Sequence, residues 1–191
     1  MAQVMSGQGK KIHPYKFTLW VAMGSITMMF AGLTSAYIVK RNQANWAMLQ
    51  VPTIFWWSTA VIALSSVTVQ LAVRDFRDRK LGRYRLLVTT TAILGALFLV
   101  LQGVGFWQLG KQDIRLVGAG SNPSYSFLLA IAGLHGLHVL GGVIALLVIF
   151  GKAVSTKYRS YSSIPIEVAA TYWHFVGVLW LYLVLFFNWM R

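Results

Sequence analysis

Hydrophobic residues fill long, nearly uninterrupted stretches of the chain, and polar residues collect in the short segments between them. A helix needs about 20 apolar residues to cross the hydrocarbon core of a bilayer. Five stretches reach that length, at about residues 17–39, 53–73, 86–109, 127–150 and 168–190. The pattern therefore predicts an all-α fold, in which residues 1–191 form a single transmembrane domain built as an integral membrane bundle of five transmembrane helices.

Composition agrees with a membrane setting, since 57% of the residues are hydrophobic, 11% are charged and the mean hydropathy is +0.63. A net charge of +13 would suggest a nucleic-acid partner if the basic residues lay along one soluble face. They lie instead in the connections between apolar stretches, where lipid headgroups explain them better, so we expect no nucleic acid. The chain has no cysteine, which excludes thiolate metal ligands and leaves histidine as the strongest nitrogen ligand.

Basic residues are unevenly divided between the two sides of the predicted bundle. The N-terminal segment and the second and fourth connections together hold 12 Lys and Arg residues, against 5 on the other side. Because basic loops stay on the cytoplasmic side during insertion, the N-terminus is predicted inside and the C-terminus outside. Asp75 and Asp78 lie among six basic residues in the second connection, which favours a solvated loop facing lipid headgroups over a docking surface for an acidic partner.

Three histidines and one carboxylate fall in or beside the last two spans. His135 and His138 are three residues apart and share a helix face, and His174 lies about two turns after Glu167. Such side chains are costly in lipid, so each is a candidate for function. One interpretation is a haem held by one histidine from each helix, and the other is hydrogen bonding between helices.

Small residues in the fourth span suggest close helix packing. Gly133, Gly136 and the pair at 141–142 give this span a thin face, and small residues let helices approach closely in lipid. A transporter is a third class, but it usually has internal symmetry and charges along a path. Five spans do not divide into equal halves, and Glu167 is the one acidic residue in or beside a span that could act with the histidines.

Three sequence motifs now point to a known family. Residues 133–139 read G-L-H-G-L-H-V and resemble the signature G-x-H-G-x-H-V. The segment from Glu167 through Y-W-H-F-V at 172–176 resembles E-x4-Y-W-H-F-V-D, and residues 30–37 resemble F-A-G-L-x-S-A-Y. All three are motifs of subunit III of the haem-copper terminal oxidases, the cytochrome c oxidase subunit 3 family. The chain looks like its short five-helix bacterial form, which lacks two leading helices.

The resemblance implies an accessory, metal-free subunit III of a proton-pumping oxidase that reduces oxygen to water in aerobic respiration. No catalytic, cofactor-binding or metal-binding residue is expected in this chain. Haem and copper would lie in subunit I, and copper also in subunit II. The subunit would stabilise subunit I, bind phospholipid and support proton uptake. Its expected partners are subunits I and II, a fourth subunit, phospholipid and an upstream quinol-oxidising complex in a supercomplex.

The resemblance favours cytochrome c as the electron donor of the complex, with subunit III of a quinol oxidase as the alternative. A bacterial inner (plasma) membrane is the expected location. Two positions depart from the family motifs. Ile26 stands where the family commonly has Glu, and Gly177 stands where it has Asp. A proton-linked role that depends on those carboxylates is therefore in doubt in this chain.

Four ionisable residues of the last two spans are the main candidates for function. His135, His138, Glu167 and His174 are predicted to form a buried polar network, or a lipid contact, that fixes the fourth helix against the fifth. Glu167 would accept a hydrogen bond from a neighbouring donor, for which His174 is the candidate.

Four further residues are predicted to serve packing. Tyr172 and Trp173 would supply aromatic packing near the inner membrane interface, and Gly133 and Gly136 would allow close approach of the helices.

Overall fold

The computed structural model describes residues 14–42, 52–110, 122–154 and 163–190, and all the regular structure in these ranges is α-helical. The helices are α1 (Pro14–Lys40), α2 (Ile54–Arg77), α3 (Leu81–Gly110), α4 (Pro123–Val154) and α5 (Ile164–Trp189). Each of the five is long and apolar enough to cross a membrane. The predicted all-α class and the number of spans are confirmed.

The helices extend beyond the predicted spans at one end or at both. The third helix begins at Leu81 rather than at residue 86, and the fifth begins at Ile164 rather than at residue 168. Apolar sequence marks only the part of a helix inside the hydrocarbon core, whereas the backbone hydrogen bonds continue into the headgroup region. Arg85 can therefore be helical and still reach water with its long side chain. Pro165 is accepted because it lies in the first turn of α5.

Helix α5 lies at the centre of the bundle, and α1 lies at its edge. Helix α5 contacts α1, α2 and α4, while α3 packs between α2 and α4. The buried residues of α1 are Phe30, Thr34 and Tyr37, whereas α5 buries side chains along its whole length, including Trp173 and Trp180. Few side chains therefore hold α1 to the other helices, and each of them contributes a large share of that contact.

The connection between α2 and α3 is a tight turn rather than the solvated loop that the charge pattern predicts. Arg79 occupies the left-handed region with φ of 61°, and the backbone N–H of Lys80 donates to the carbonyl of Asp75. The Asp75 side chain is only 9% exposed and pairs with Arg83 at 3.3 Å. Asp78 does remain exposed, with Lys80 at 3.5 Å. The interpretation as a solvated loop is thus wrong for Asp75, because its carboxylate is turned toward the start of α3.

Some of the basic residues on which the predicted orientation depends lie outside the described ranges, namely Lys10, Lys11, Lys111, Arg115, Lys157, Arg159 and Arg191. The orientation of the termini stays a prediction.

Candidate functional site

Trp173 is the residue through which four helices meet. Its side chain is fully buried in α5, and its indole N–H donates to the hydroxyl of Ser65 on α2 at 3.0 Å. A Cβ added at Gly95 of α3 would lie 2.5 Å from the Trp173 ring, and one added at Gly142 of α4 would lie 3.0 Å from it. The indole therefore fills space that exists because these two positions carry no side chain.

Trp180 makes the corresponding connection two turns later in α5. Its indole N–H donates to the hydroxyl of Thr59 on α2 at 3.1 Å. The ring stacks on His135 of α4 with centroids 5.2 Å apart and packs edge-on against Phe98 of α3 at 5.1 Å. The two tryptophans thus repeat one arrangement, in which an indole from α5 donates to a hydroxyl from α2.

His135 lies fully buried inside a cage of aromatic rings. Besides Trp180, the rings of Phe30 and Phe98 approach it edge-on, with centroids at 6.3 and 5.8 Å. Neither ring nitrogen of His135 has a hydrogen-bond partner among the described residues. The imidazole packs as one more aromatic ring, which links α4 to α1, α3 and α5.

His138 and Tyr172 join α4 to α5 through the backbone. The Nδ1 atom of His138 lies 2.7 Å from the carbonyl oxygen of Leu134, within its own helix. The Tyr172 hydroxyl donates to the carbonyl oxygen of His138 at 3.0 Å. The interhelical bond at this position is therefore made by the His138 carbonyl and not by its imidazole.

His174 points away from α4. Its Nε2 atom lies 3.1 Å from the side-chain oxygen of Gln70 on α2. A haem held by one histidine from α4 and one from α5 requires two imidazoles on opposite sides of a single flat gap. His135 is enclosed by aromatic rings and His174 is engaged by α2, so these residues do not fit a haem. In the described part of the chain, no group of three His, Cys, Asp or Glu residues could hold a metal ion.

Glu167 forms a junction of three helices near the start of α5. Its carboxylate accepts from Arg77 of α2 at 2.9 Å, from Lys16 of α1 at 3.2 Å and from the Ser163 hydroxyl at 2.9 Å. The Glu167 side chain is 20% exposed, so water reaches the edge of the cluster. The junction is one of the few polar connections between α1 and the other helices.

The structure distributes the four predicted polar residues over separate contacts. Glu167 bonds to Lys16, Arg77 and Ser163, and His174 bonds to Gln70, so the expected hydrogen bond between His174 and Glu167 is replaced by others. His135 and His138 both contact the ring of Phe30, and Glu167 and His174 line one cavity without bonding to each other. Whether these side chains determine how α4 sits against α5 stays a prediction.

Only part of the predicted glycine face makes close contacts. A Cβ added at Gly133 would meet no described atom within 4 Å, and one added at Gly136 would meet only Leu99, at 3.7 Å. Gly142, from the predicted pair at 141–142, does lie close to α5, where a Cβ would be 3.0 Å from Trp173 and 3.2 Å from Tyr172. Equally tight positions occur in α3, at Gly95 against Trp173 and at Gly105 against Phe55.

The part that α2 plays in the bundle is not predicted from the motifs. Besides the bond of Arg77 to Glu167, polar side chains along this helix make five interhelical hydrogen bonds: Ser58 with Gln102, Thr59 with Trp180, Ser65 with Trp173, Thr68 with Thr91, and Gln70 with His174. We call these ten residues the α2 polar ladder. A visible signal was the concentration of Ser and Thr in an otherwise apolar span, because a hydroxyl in lipid is placed most favourably against another polar group.

The five membrane-spanning helices and the hydrogen bonds between them define a multi-pass membrane protein. Comparison with known proteins identifies the family within this class. The family model described as Cytochrome c oxidase subunit III matches residues 44–191, which include α2 to α5. The chain belongs to the cytochrome c oxidase subunit III family.

Relatives from distant organisms agree with this assignment. A probable cytochrome c oxidase subunit 3 from Nocardia farcinica is 29% identical over 90% of this chain and 89% of its own length. The cytochrome c oxidase subunit 3 of Bacillus sp. strain PS3 is 25% identical over 86% of this chain and 80% of its own. The subunit from Branchiostoma lanceolatum is 35% identical over 69% of this chain, but the match covers only 48% of that longer protein.

Proposed function

We propose that this chain is the accessory, metal-free subunit III of a proton-pumping haem-copper oxidase, and that it supports the oxidase by packing rather than by catalysis. The α2 polar ladder carries the proposal. In lipid, helices associate through close packing and interhelical hydrogen bonds, and the ladder provides such bonds from α2 to α5 at three positions and from α2 to α3 at two. A bundle of this kind gives the catalytic subunit I a rigid neighbour. Haem and copper would belong to subunit I, with copper also in subunit II.

The proposed partners follow from membership of the family. Subunits I and II would contact the bundle within the membrane, together with a fourth subunit and phospholipid. The complex would lie in a bacterial inner membrane, with the N-terminus of this chain inside, and would join an upstream quinol-oxidising complex. The short connection between α2 and α3 would then face the cytoplasm, where its basic residues would suit both anionic lipid and proton uptake.

Fewer carboxylates of this chain could take part in proton uptake than the family motifs suggest. Ile26 packs against the hydrophobic core, and a Cβ at Gly177 would lie 3.2 Å from the Ser66 hydroxyl. Neither position offers a carboxylate. Support for proton uptake by this chain would therefore come from Glu167 and its basic neighbours at the end of the bundle.

Co-purification followed by spectroscopy tests the proposal. The tagged full chain is extracted from its native membrane in mild detergent, and the reduced-minus-oxidised spectrum of the purified material is recorded. We expect haem and copper in amounts matching a catalytic partner, and loss of the haem signal when the partner subunits are stripped from the tagged chain. A tagged chain that purifies without haem-containing subunits contradicts the proposal.

The same preparation shows which of the two candidate electron donors the complex uses. Oxygen consumption is measured with reduced cytochrome c and, separately, with a reduced quinol. We expect activity with cytochrome c. Activity with quinol alone would assign the chain to a quinol oxidase and leave the accessory role intact.

A further inference from the structure

The hairpin formed by α2 and α3 carries a strong excess of positive charge around its turn. Two carboxylates, Asp75 and Asp78, lie between residues 74 and 85 together with six cationic side chains: Arg74, Arg77, Arg79, Lys80, Arg83 and Arg85. The whole chain has only four acidic residues and a net charge of +13. Carboxylates that could balance this excess must therefore come from outside the chain. We call Arg79, Lys80 and Arg83 the basic tip.

The turn that carries the basic tip has a fixed conformation. The backbone N–H of Lys80 donates to the carbonyl of Asp75 at 2.9 Å, and Arg79 has a φ of 61°. The rings of Phe76 and Tyr84 pack edge-on across the hairpin, with centroids 5.0 Å apart. A rigid surface loses little conformational entropy when a partner binds. Attraction to anionic lipid through net charge, or the orientation of the chain during insertion, requires no such order.

The basic tip lies at the outer boundary of the membrane. The apolar stretch of α2 ends at about residue 73, and that of α3 begins at about residue 86. The two helices continue for four or five residues past these limits before the turn, which corresponds to about 6–8 Å at about 1.5 Å per residue. The headgroup layer on each side of a bilayer is about 5–7 Å thick. Side chains at the turn can therefore reach into water.

Basic side chains on the two helices lean in opposite directions. Each Cα–Cβ bond of an α-helix is tilted toward the N-terminus of that helix. Arg74 and Arg77 precede the end of α2 and lean back toward the membrane, whereas Arg83 follows the start of α3 and leans away from it. The Arg83 side chain is 70% exposed, and that of Lys80 is 54% exposed. The arginines of α2 thus suit lipid headgroups, and the basic tip suits a partner in water.

Arg83 and Lys80 already pair with carboxylates of their own chain. The Nε atom of Arg83 lies 3.3 Å from Oδ2 of Asp75, and Nζ of Lys80 lies 3.5 Å from Oδ2 of Asp78. Within the described ranges, Asp75 is the one carboxylate that pairs with Arg83, and a guanidinium has five N–H donors in a planar fork. Asp75 is nearly buried, so it holds the guanidinium in place while the rest of the fork can bind a second carboxylate.

We propose that the basic tip is a docking surface for an acidic segment of a partner subunit, with carboxylates of that segment against Lys80 and Arg83. This proposal deepens the partner contacts of the proposed function and rests on it. The contact would add a connection in water to those that the subunits make within the membrane.

Zero-length cross-linking with a carbodiimide tests the contact, because this reagent joins a lysine amine to a carboxylate only where the two groups touch. The tagged full chain, with whatever subunits it retains, is treated and digested, and the joined peptides are identified by mass spectrometry. We expect a cross-link from Lys80 to an Asp or Glu in an acidic segment of another subunit. Its yield should fall several-fold between about 0.1 and 1 M salt, because the screening length shortens from about 10 to about 3 Å.

Variants of the turn provide the controls. Lys80→Glu should abolish the cross-link, and replacing the joined partner residue with Lys in the same background should restore it, because amine and carboxylate have then exchanged sides. Asp78→Asn is the matched control, since it removes the carboxylate of this chain that competes for Lys80, and the cross-link to the partner should be kept or increase. Lys16 and Glu167, 3.2 Å apart, should be joined in every sample and serve as the internal standard.

Three results would overturn the docking surface. The first is a Lys80 that is joined only within its own chain while Lys16 and Glu167 are joined as expected, which would leave the basic tip to lipid and water. The second is a cross-link to a partner whose yield is unchanged at high salt. The third is a failure of the exchanged pair to restore the cross-link.

The two proposals fail in different ways. If the chain purifies with a haem-containing partner but Lys80 is joined to no other subunit, the docking surface fails and the accessory role stands. If no haem-containing subunit accompanies the chain, the accessory role fails whatever the cross-linking shows.

Discussion

The indole N–H of Trp173 on α5 donates to the hydroxyl of Ser65 on α2 at 3.0 Å, and this pair connects the two helices inside the bundle. Lipid offers no water to satisfy a buried donor, so an indole within the membrane needs an acceptor from its own protein. Ser65 also donates to the carbonyl of Ile62, one turn earlier in its own helix. Its oxygen is thereby oriented to accept from Trp173.

Ser65→Ala should destabilise the bundle by about 1 kcal/mol, because it leaves the Trp173 indole without an acceptor. The midpoint of thermal unfolding in detergent measures the effect. Ser66→Ala is the matched control, since Ser66 is the adjacent residue and is not the acceptor of this bond. If Ser65→Ala in a Trp173→Phe background is as harmful as in the wild type, the hydrogen bond is not the source of the effect.

Gly95→Ala should cost more, about 2 kcal/mol, because the new methyl group would lie 2.5 Å from the Trp173 ring and a packed core accommodates extra volume poorly. Gly133→Ala is the control within α4, where an added Cβ meets no described atom within 4 Å. Chemical unfolding of the two variants in mixed micelles provides the comparison. A Gly133→Ala variant less stable than Gly95→Ala would show that close packing at Gly133 involves another chain.

Some features of this arrangement can be predicted from the sequence, and others cannot. Hydropathy predicts the five helices well, because it measures the transfer of whole segments into lipid. It does not predict which residues meet, since that depends on the rotation of each helix about its axis. His174 and Glu167 illustrate the difficulty: they lie two turns apart in α5 and each bonds to α2, the first with Gln70 and the second with Arg77, rather than to each other. Among the motif residues, Trp173, His174 and Trp180 have hydrogen-bond partners on α2, which carries no motif.

Rare residue types in a span are also easier to recognise as candidates than common ones. A histidine or glutamate in a span stands out, whereas a serine or threonine does not. Thr59 and Ser65 nevertheless accept from the two buried tryptophans of α5. Conversely, the most prominent candidate ligand, His135, packs among rings. A sequence cannot distinguish a ligand from a packing residue when both consist of one imidazole on an apolar helix.

His135 therefore provides a test of packing against hydrogen bonding. His135→Phe keeps an aromatic ring beside Trp180 and should cost about 1 kcal/mol, whereas His135→Asn should cost about 2 kcal/mol or more, because it buries an unpaired amide and loses the stacking. Unfolding midpoints of the two variants are compared in the same detergent. The opposite order would show that a ring nitrogen of His135 makes an essential hydrogen bond.

Glu167→Gln tests whether the junction holds α1 to the bundle. The substitution keeps the size of the side chain but removes the charge that pairs with Lys16 and Arg77, at 3.2 and 2.9 Å. Partly exposed pairs contribute little each, so we expect a total loss of about 1 kcal/mol, concentrated in α1. Hydrogen exchange in the first turns of α1 should become several-fold faster, while exchange in α3 stays unchanged.

Asp78→Asn is the appropriate control for this experiment, because it removes a carboxylate from the exposed pair with Lys80 and leaves α1 untouched. Equally fast exchange in α1 for Asp78→Asn and Glu167→Gln would show that the effect comes from the net charge at this end of the bundle and not from the contacts of Glu167 with Lys16 and Arg77.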